Sequence, residues 1–528
     1  MTASGGKKAD RGLSRREALC AAGAAALLAG APKSAAAASD PWAEAGSLAA
    51  RLSRPLDFPD RDFPAAVQAG DCRQAFADAI EACHQAGGGR VVVPAGDWFC
   101  AGPITLKSGV NFHLSRNCRI RFSSNPEDYA RYGDHDCGAN GKLVLSRWQG
   151  NDCLNFSPMI HAFGQTRIAL TGEDWTSILD GQAQPWWDWK KQGGPADESA
   201  LPALSEQGIA AEQRVFGLGH YLRPCMIEFH SCTDVLMENY QVTNTPFWQH
   251  HPIACRNVVI KGVYANSLGP NNDGFDPESC DGVLCEQVTF NTGDDCIAIK
   301  SGKNRDTGYG PATNHVIRYC TMNSGHGGVT LGSEGAAGIS NIYAHDLVMR
   351  NENWQTSPLN IAIRIKTNMN RGGVVENIHV SDIALPNGVS LSPKFYTPIA
   401  GGMMAGRSVS TNQGGVFTID CDYQPDKDPQ RTRSPVVRNI SVSRIRVGSP
   451  PGAGSGCYQA FILLGPVTSD YNGEGKPAIA PITGVTVSDC DFGTPANAGE
   501  PYFLYNVRGL TLRAVTIGGR RRDGRYSA

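Results

Sequence analysis

The 528-residue chain carries almost no net charge, with 48 Lys and Arg against 50 Asp and Glu. That balance, with no basic domain standing out, argues against a nucleic-acid partner. Long apolar runs are missing as well. Past the first forty residues nothing approaches the ~18–20 residues of a membrane-spanning helix. Zinc-ligand spacing is absent too: there is no CxxC pair and no suitable His/Cys cluster. The paired His250-His251 are read as structural, so neither a metal nor a cofactor is expected. Long uninterrupted helix patterns are scarce, because 61 Gly and 32 Pro punctuate the chain. Such a composition favours many turns. Cysteine is the exception, at 17. In so long a chain these do not form a small disulfide scaffold, and Cys280 and Cys296 read as stacked core thiols on successive layers.

The first forty residues look like an address. Lys7, Lys8 and Arg11 precede Arg15-Arg16, an alanine-rich run and a small-residue site before Ser39 or Asp40. The arginine pair in that setting resembles a bacterial twin-arginine signal. Cys20 lacks the small residues of a lipid-anchor site, so no membrane anchor is expected after cleavage. The expected organisation is a signal over 1–38, an extension over 39–70, one domain over 71–520 and a basic, solvated tail over 521–528. An exported protein is expected, periplasmic or extracellular, and monomeric.

What remains repeats itself. TDVLMENYQV from Thr233, RNVVIKGVYA from Arg256, DGVLCEQVTF from Asp281 and SNIYAHDLVM from Ser340 share one pattern, which recurs through RGLTLRAVTI from Arg508. A polar residue or glycine leads, apolar positions alternate, and a second short apolar run follows. The nearest copies lie about 23 to 26 residues apart, the signature of a β-solenoid with several short strands per turn. A β-sandwich would explain the alternation without the repeat. Phe76, Ile80 and Cys83 fall on one helix face ahead of these strands, and Gly87-Gly88-Gly89 follows. Such a helix would cap the open end of the solenoid core.

Chemistry-bearing residues concentrate between Pro270 and Lys366. NNDGFD holds Asn271, Asp273 and Asp276; GDD holds Asp294 and Asp295; SGHGG holds His326; RIK holds Arg364 and Lys366. On stacked parallel strands, equivalent positions lie roughly 4.8 Å apart, so these residues can meet on one face. Ile361, Ile363 and Ile365 alternate with Ala362, Arg364 and Lys366, and Ile297 and Ile299 with Ala298 and Lys300. The isoleucines take the core and the charges take the outside. Neighbouring Asp294 and Asp295 can both reach a cleft only at a bend, which Gly293 permits. Asp276 is read as a turn or ladder residue. Clustered carboxylates cannot all ionise freely, so one should retain a proton. Hydrolysis of a glycosidic bond takes one protonated carboxylic acid, and with inversion it also takes a carboxylate that activates water.

These four motifs, in this order, resemble glycoside hydrolase family 28, the polygalacturonases. The middle residue of Asn271-Asn272-Asp273 departs from the family's Asn-Thr-Asp. The resemblance runs from about Asp71 to the end of the helix and implies an all-β, single-stranded right-handed parallel β-helix. It implies hydrolysis of α-1,4-galacturonosidic bonds in polygalacturonate or pectin, with inversion. Asp294 would be the general acid, Asp273 and Asp295 would position and deprotonate water, and His326 would hold the acid proton. Arg364 and Lys366 would bind a substrate carboxylate, joined by Asn271, Lys300 and Tyr396. RPCMIEF, TPFWQHHP and GPNNDGFDPESC resemble the exo-acting bacterial branch. Two interruptions, about Tyr129–Leu222 and Pro393–Gly415, would close one end of the cleft. Trp186, Trp187 and Trp189 read equally well as sugar-stacking residues and as loop anchors. The alternatives are a glycosidase of rhamnogalacturonan, xylogalacturonan or rhamnosides, a calcium-dependent pectate lyase, and a non-catalytic carbohydrate-binding solenoid.

Overall fold

In the computed structural model, residues 40–395, 409–424, 432–467 and 479–528 are described. The chain winds as a right-handed parallel β-helix whose strands pair, rung on rung, in parallel. The pairing follows the repeat seen in the sequence: Val235 lies on Val258, Val258 on Val283, and further along Ile342 on Ile378 and Ile378 on Ile440. Their side chains fill one continuous core. The polar residue near the head of each copy has its own role. Asn257, Asn314, Asn341, Asn377 and Asn439 all have φ between 54° and 62°. Asparagine tolerates this left-handed conformation, and each such residue is skipped in the ladder. Asn341 donates to Asn314 and Asn377 to Asn341, both at 3.1 Å. The skipped residues thus form an amide ladder of their own along the helix.

The first helix, α1 (Pro41–Leu52), buries Ala45, Ala49 and Leu52 on the outside of the coil, against Leu284, Val316 and Tyr343. Its Glu44 accepts from Tyr343 Oη at 2.8 Å. The second, α2 (Arg73–Gln85), buries Phe76, Ala79, Ile80 and Cys83. Phe76 meets Phe112 edge-on at 5.7 Å, so α2 plugs the first turn of the core. The coil begins before Asp71, because Asp62–Pro64 pairs with Gly89–Val93. The basic end is exposed, but it is no loose tail: Arg520–Tyr526 forms an antiparallel strand on Leu510–Ile517. The proposed signal, residues 1–38, lies outside the described residues. Among the described residues, no helix is long and apolar enough to cross a membrane.

Cys280 and Cys296 are buried thiols, though not in one stack. Cys232, Cys255 and Cys280 precede the paired residues Thr233, Arg256 and Asp281. Cys296 sits in the Asp bend and donates to Ser324 O at 3.0 Å.

One face of the coil carries the outward column Thr105, His161, Glu228, His251, and this column continues through Ala298 and Thr330 to Arg364. The long interruption decorates this face. It contributes the antiparallel ribbon Lys142–Trp148 and Asn151–Asn155, then α3 (Gly194–Glu206). Trp186 is 1% exposed and packs against Tyr129 and Phe156, and Trp187 Nε1 donates to Thr245 O at 2.8 Å. Trp186 and Trp187 are therefore loop anchors.

Candidate active site

Thr289–Thr292 and Ile297–Ile299 leave a bend between them, and Gly293-Asp294-Asp295 occupies it. The bend needs glycine for proximity: a Cβ on Gly293 would stand 2.1 Å from Gly269 O. Gly327 is similarly constrained, since its Cβ would fall 2.7 Å from Asp295 Oδ1. The bend brings Asp294 to the wall of a cavity of about 680 Å³ and leaves Asp295 buried behind it. Asp273 arrives from the preceding rung. The carboxylates of Asp273, Asp294 and Asp295 present oxygens within 4.8 Å of one another.

Each carboxylate has different company. Asp294 is half-buried; its Oδ1 lies 2.8 Å from His326 Nδ1, and its Oδ2 accepts from Asn271 Nδ2 at 3.4 Å. Asp295 is fully buried, with Lys366 Nζ at 2.6 Å and Arg364 Nη1 at 3.9 Å. Asp273 is 3% exposed, with Lys300 Nζ at 4.0 Å. Burial, then the nearby carboxylates of Asp276 and Asp294, raise Asp273 well above the ordinary range. Burial opposes ionisation of Asp294 too, but the adjoining His326, together with the charges of Lys366 and Lys300, outweighs it and holds Asp294 low. Asp294 in turn raises His326. Protonation is thus favoured at Asp273 and at the His326 imidazole, and disfavoured at Asp294 between them.

Beneath this layer lies a second one that the sequence reading missed. Asp276, read as a turn or ladder residue, is fully buried 3.3 Å from Lys300 Nζ. Burial pushes its carboxyl up to about 7. Glu334 accepts from Lys300 Nζ at 3.2 Å, and the ammonium lies 4.4 Å from the Trp248 ring centroid. Lys300, expected to contact substrate, lines the cavity but is only 2% exposed, its ammonium held between Asp276 and Glu334. Asn271 is also internally engaged, since its Oδ1 accepts from Lys190 Nζ and from Arg223 Nη2, each at 2.7 Å. Arg364 donates to Asn412 Oδ1 at 2.6 Å, and Tyr423 lies under both Arg364 and Lys366, 5.2 and 5.4 Å from ring centroid to cation. Glu334 could have been sought from parity, two positions beyond outward Gly332; Asn412 and Tyr423 carried no local signal. Tyr396 lies outside the described residues.

Among the described residues, two groups have metal-ligand chemistry. In the Asp cluster, Lys366 and Lys300 already supply positive charge at the distances given above. Cys225, Glu228 and His251 form a buried set, in which His251 Nε2 meets Glu278 at 2.9 Å and Ser146 donates to Glu228 at 2.9 Å. Internal partners thus engage His251 Nε2 and Glu228 Oε2, while Glu228 Oε1 has no hydrogen-bond partner.

The cavity is walled on one side by α3, through Pro195, Glu198 and Pro202. Glu206, at the end of α3, is pinned by Arg433 at 2.8 Å.

Comparison with known proteins places this geometry among characterised folds. The model of the family "Glycosyl hydrolases family 28" matches residues 217–393. A "Probable polygalacturonase" of Vitis vinifera is 30% identical over 322 residues, 59% of this chain and 57% of that relative. The chain thus spans little more than half of that relative's length. An "Exo-poly-alpha-D-galacturonosidase" of Dickeya chrysanthemi is 24% identical over 474 residues, 84% of this chain and 72% of that one. Among solved structures, a hyperthermoactive exopolygalacturonase from Thermotoga maritima superimposes with a TM-score of 0.73 at 29% identity, covering 92% of this chain and 99% of that chain.

Proposed function

We propose that this chain, which belongs to glycosyl hydrolases family 28, hydrolyses the α-1,4-galacturonosidic bonds of polygalacturonate and pectin. The observation that carries the reading is the convergence of three carboxylates within 4.8 Å, two of which, Asp273 and Asp294, line a cavity together with Arg364 and Lys366. Asp294, the carboxylate nearest the opening, protonates the leaving oxygen. His326 Nδ1, 2.8 Å from Asp294 Oδ1, is placed to share that proton with the carboxyl. The guanidinium and ammonium of Arg364 and Lys366 receive the substrate carboxylate.

Asp273 and Asp295 work through water. One is 3% exposed and the other not at all, so neither can reach out to form a bond to the anomeric carbon. A water held between them attacks the anomeric carbon from the face opposite the leaving group and gives its proton to this carboxylate pair, as the bond to the leaving oxygen breaks and Asp294 protonates that oxygen; the configuration inverts. The close grouping is tighter than the ~6.5–9.5 Å common between the two carboxyls of inverting enzymes; burial of Asp273 and Asp295, not spacing, favours inversion here. Proton NMR of the first-formed anomer tests this directly.

The wall of α3 and its Glu206–Arg433 anchor support exo action, with galacturonate released from the non-reducing end. The resemblance of residues 223–229 and 245–252 to exo-acting enzymes points the same way. We assign export to the residues before Ser39 and a monomeric state to the mature enzyme. The deciding experiment is incubation with polygalacturonate, following viscosity, reducing ends and products by chromatography. Monogalacturonate with slowly falling viscosity is expected. A rapid viscosity collapse with a ladder of oligomers would establish endo cleavage, and unsaturated, ultraviolet-absorbing products would establish a lyase.

A further inference from the structure

The face that holds the carboxylates has a second concavity about four rungs toward the N-terminus, on the order of 20 Å away at strand spacing. Its volume is about 610 Å³. The antiparallel ribbon partitions the two: Val144 and Leu145 line the second cavity, while Gln149 at the ribbon's tip lines the first. Arg73, Lys107, Arg131 and Lys142 surround the second cavity against one lining carboxylate, Asp134. Lys107 pairs with Glu81, and Arg131 lies 3.6 Å from Asp128. Among the described residues, no carboxylate lies within ion-pair distance of Arg73 or Lys142. The Arg73 guanidinium rests on the Tyr132 ring, 3.3 Å from its centroid, and its Nε has no hydrogen-bond partner.

Two further features favour a ligand. His161 is only 6% exposed, lines this cavity, and leaves Nε2 without a partner. Phe163 is 45% exposed although it stands in a regular strand. One face of its ring stacks on His230 at 4.7 Å with an interplanar angle of 18°, and the other is available for the apolar face of a sugar. Unpaired cations around an open aromatic ring match a chain of sugars that each bear a carboxylate. A neutral polymer would leave the cations unused.

We propose that this concavity is a second, non-catalytic binding site for a uronate-bearing polysaccharide, with Arg73 and Lys142 receiving carboxylates and Phe163 stacking on a ring. Choice of this ligand class rests on the substrate reading above. The site holds polymer beside the enzyme and contributes nothing to cleavage of a chain too short to reach it.

Full-length Lys142→Glu, Phe163→Ala and the Arg73→Ala/Lys142→Ala pair test this, with polygalacturonate and trigalacturonate as probes. Solvent-exposed charge contacts of this kind are worth a factor of about three each. The paired variant is therefore expected to raise KM for polygalacturonate about tenfold while kcat/KM for trigalacturonate stays within about twofold. In native gels containing polygalacturonate, the retardation of the wild-type chain should diminish for each variant and be absent with a neutral galactan. Unchanged retardation and KM in Lys142→Glu and Phe163→Ala would overturn the proposal, as would equal retardation by the neutral polymer. A wild-type chain that fails to cleave polygalacturonate refutes the substrate reading instead, and gel retardation still reports on the second site.

Discussion

The two concavities share one face and one set of outward columns, yet they treat charge in opposite ways. At the N-terminal one, Phe163 and His230 occupy the column that, through Ile253 and Glu278, becomes Lys300 at the other. Lys142 and Arg131 stand in solvent at the first. Lys300 is 2% exposed and Asp295 fully buried at the second. Exposed charges are screened and mobile, and hold a ligand loosely. Buried charges act in a medium of low dielectric, where they are fixed before substrate arrives. Burial therefore marks the cavity where bonds are broken.

The sharpest way to break the comparison is to remove the proton donor. Asp294→Asn should keep the fold, since the site remains hydrogen-bonded, and lower turnover by about 10²–10⁴-fold. Near-wild-type turnover in a variant with unchanged thermal midpoint would take Asp294 out of the role. Next comes the buried layer. Lys300→Met leaves Asp276 and Glu334 without their shared cation, and breaking such a buried group costs about 3–5 kcal/mol. Urea unfolding should show that loss, whereas Lys142→Met in the other cavity should stay within about 0.5 kcal/mol. Equal stabilities would mean that the two sets of charges are not differently embedded.

A smaller effect is expected on recognition. Arg364→Ala or Lys366→Ala removes a charge-assisted contact worth roughly 1.5–3 kcal/mol. Steady-state kinetics on polygalacturonate should lose about one to two decades in kcat/KM. Unchanged kinetics would show that the substrate carboxylate binds elsewhere. The mildest test uses pH. Asp294 raises His326 above its ordinary value of 6.5. The charged form is therefore fully present below 6.5, and it is lost as pH rises through the elevated folded value. Turnover should show an alkaline limb above 6.5, and His326→Gln should abolish that limb. An identical profile in the variant would separate the imidazole from the acid proton.

Much of this was legible in the chain. The alternation of Ile361, Ile363 and Ile365 with Arg364 and Lys366 reported which side chains face inward, because a strand has a period of two. The heads of the repeats reported the rungs, and GDD announced a bend. Asp276 was read as a turn or ladder residue without its ion partners, because Lys300 lies one rung away and Glu334 a further rung away. Residues 39–70 gave no sign that α1 would strap the outside of the coil, since Leu284, Val316 and Tyr343 form its seat only after three rungs have stacked. Local patterning does not carry that information.

By itself, then, the sequence determined the period of the coil, the direction of its side chains and the identity of the reactive groups, all of which follow from short-range backbone geometry and residue chemistry. Only the tertiary structure decided which carboxylate is sealed beneath a lysine, which one faces the opening beside His326, and where α3 and the ribbon divide the face into two cavities. Those outcomes depend on register between rungs and on exclusion of water. Both arise from contacts among residues distant along the chain.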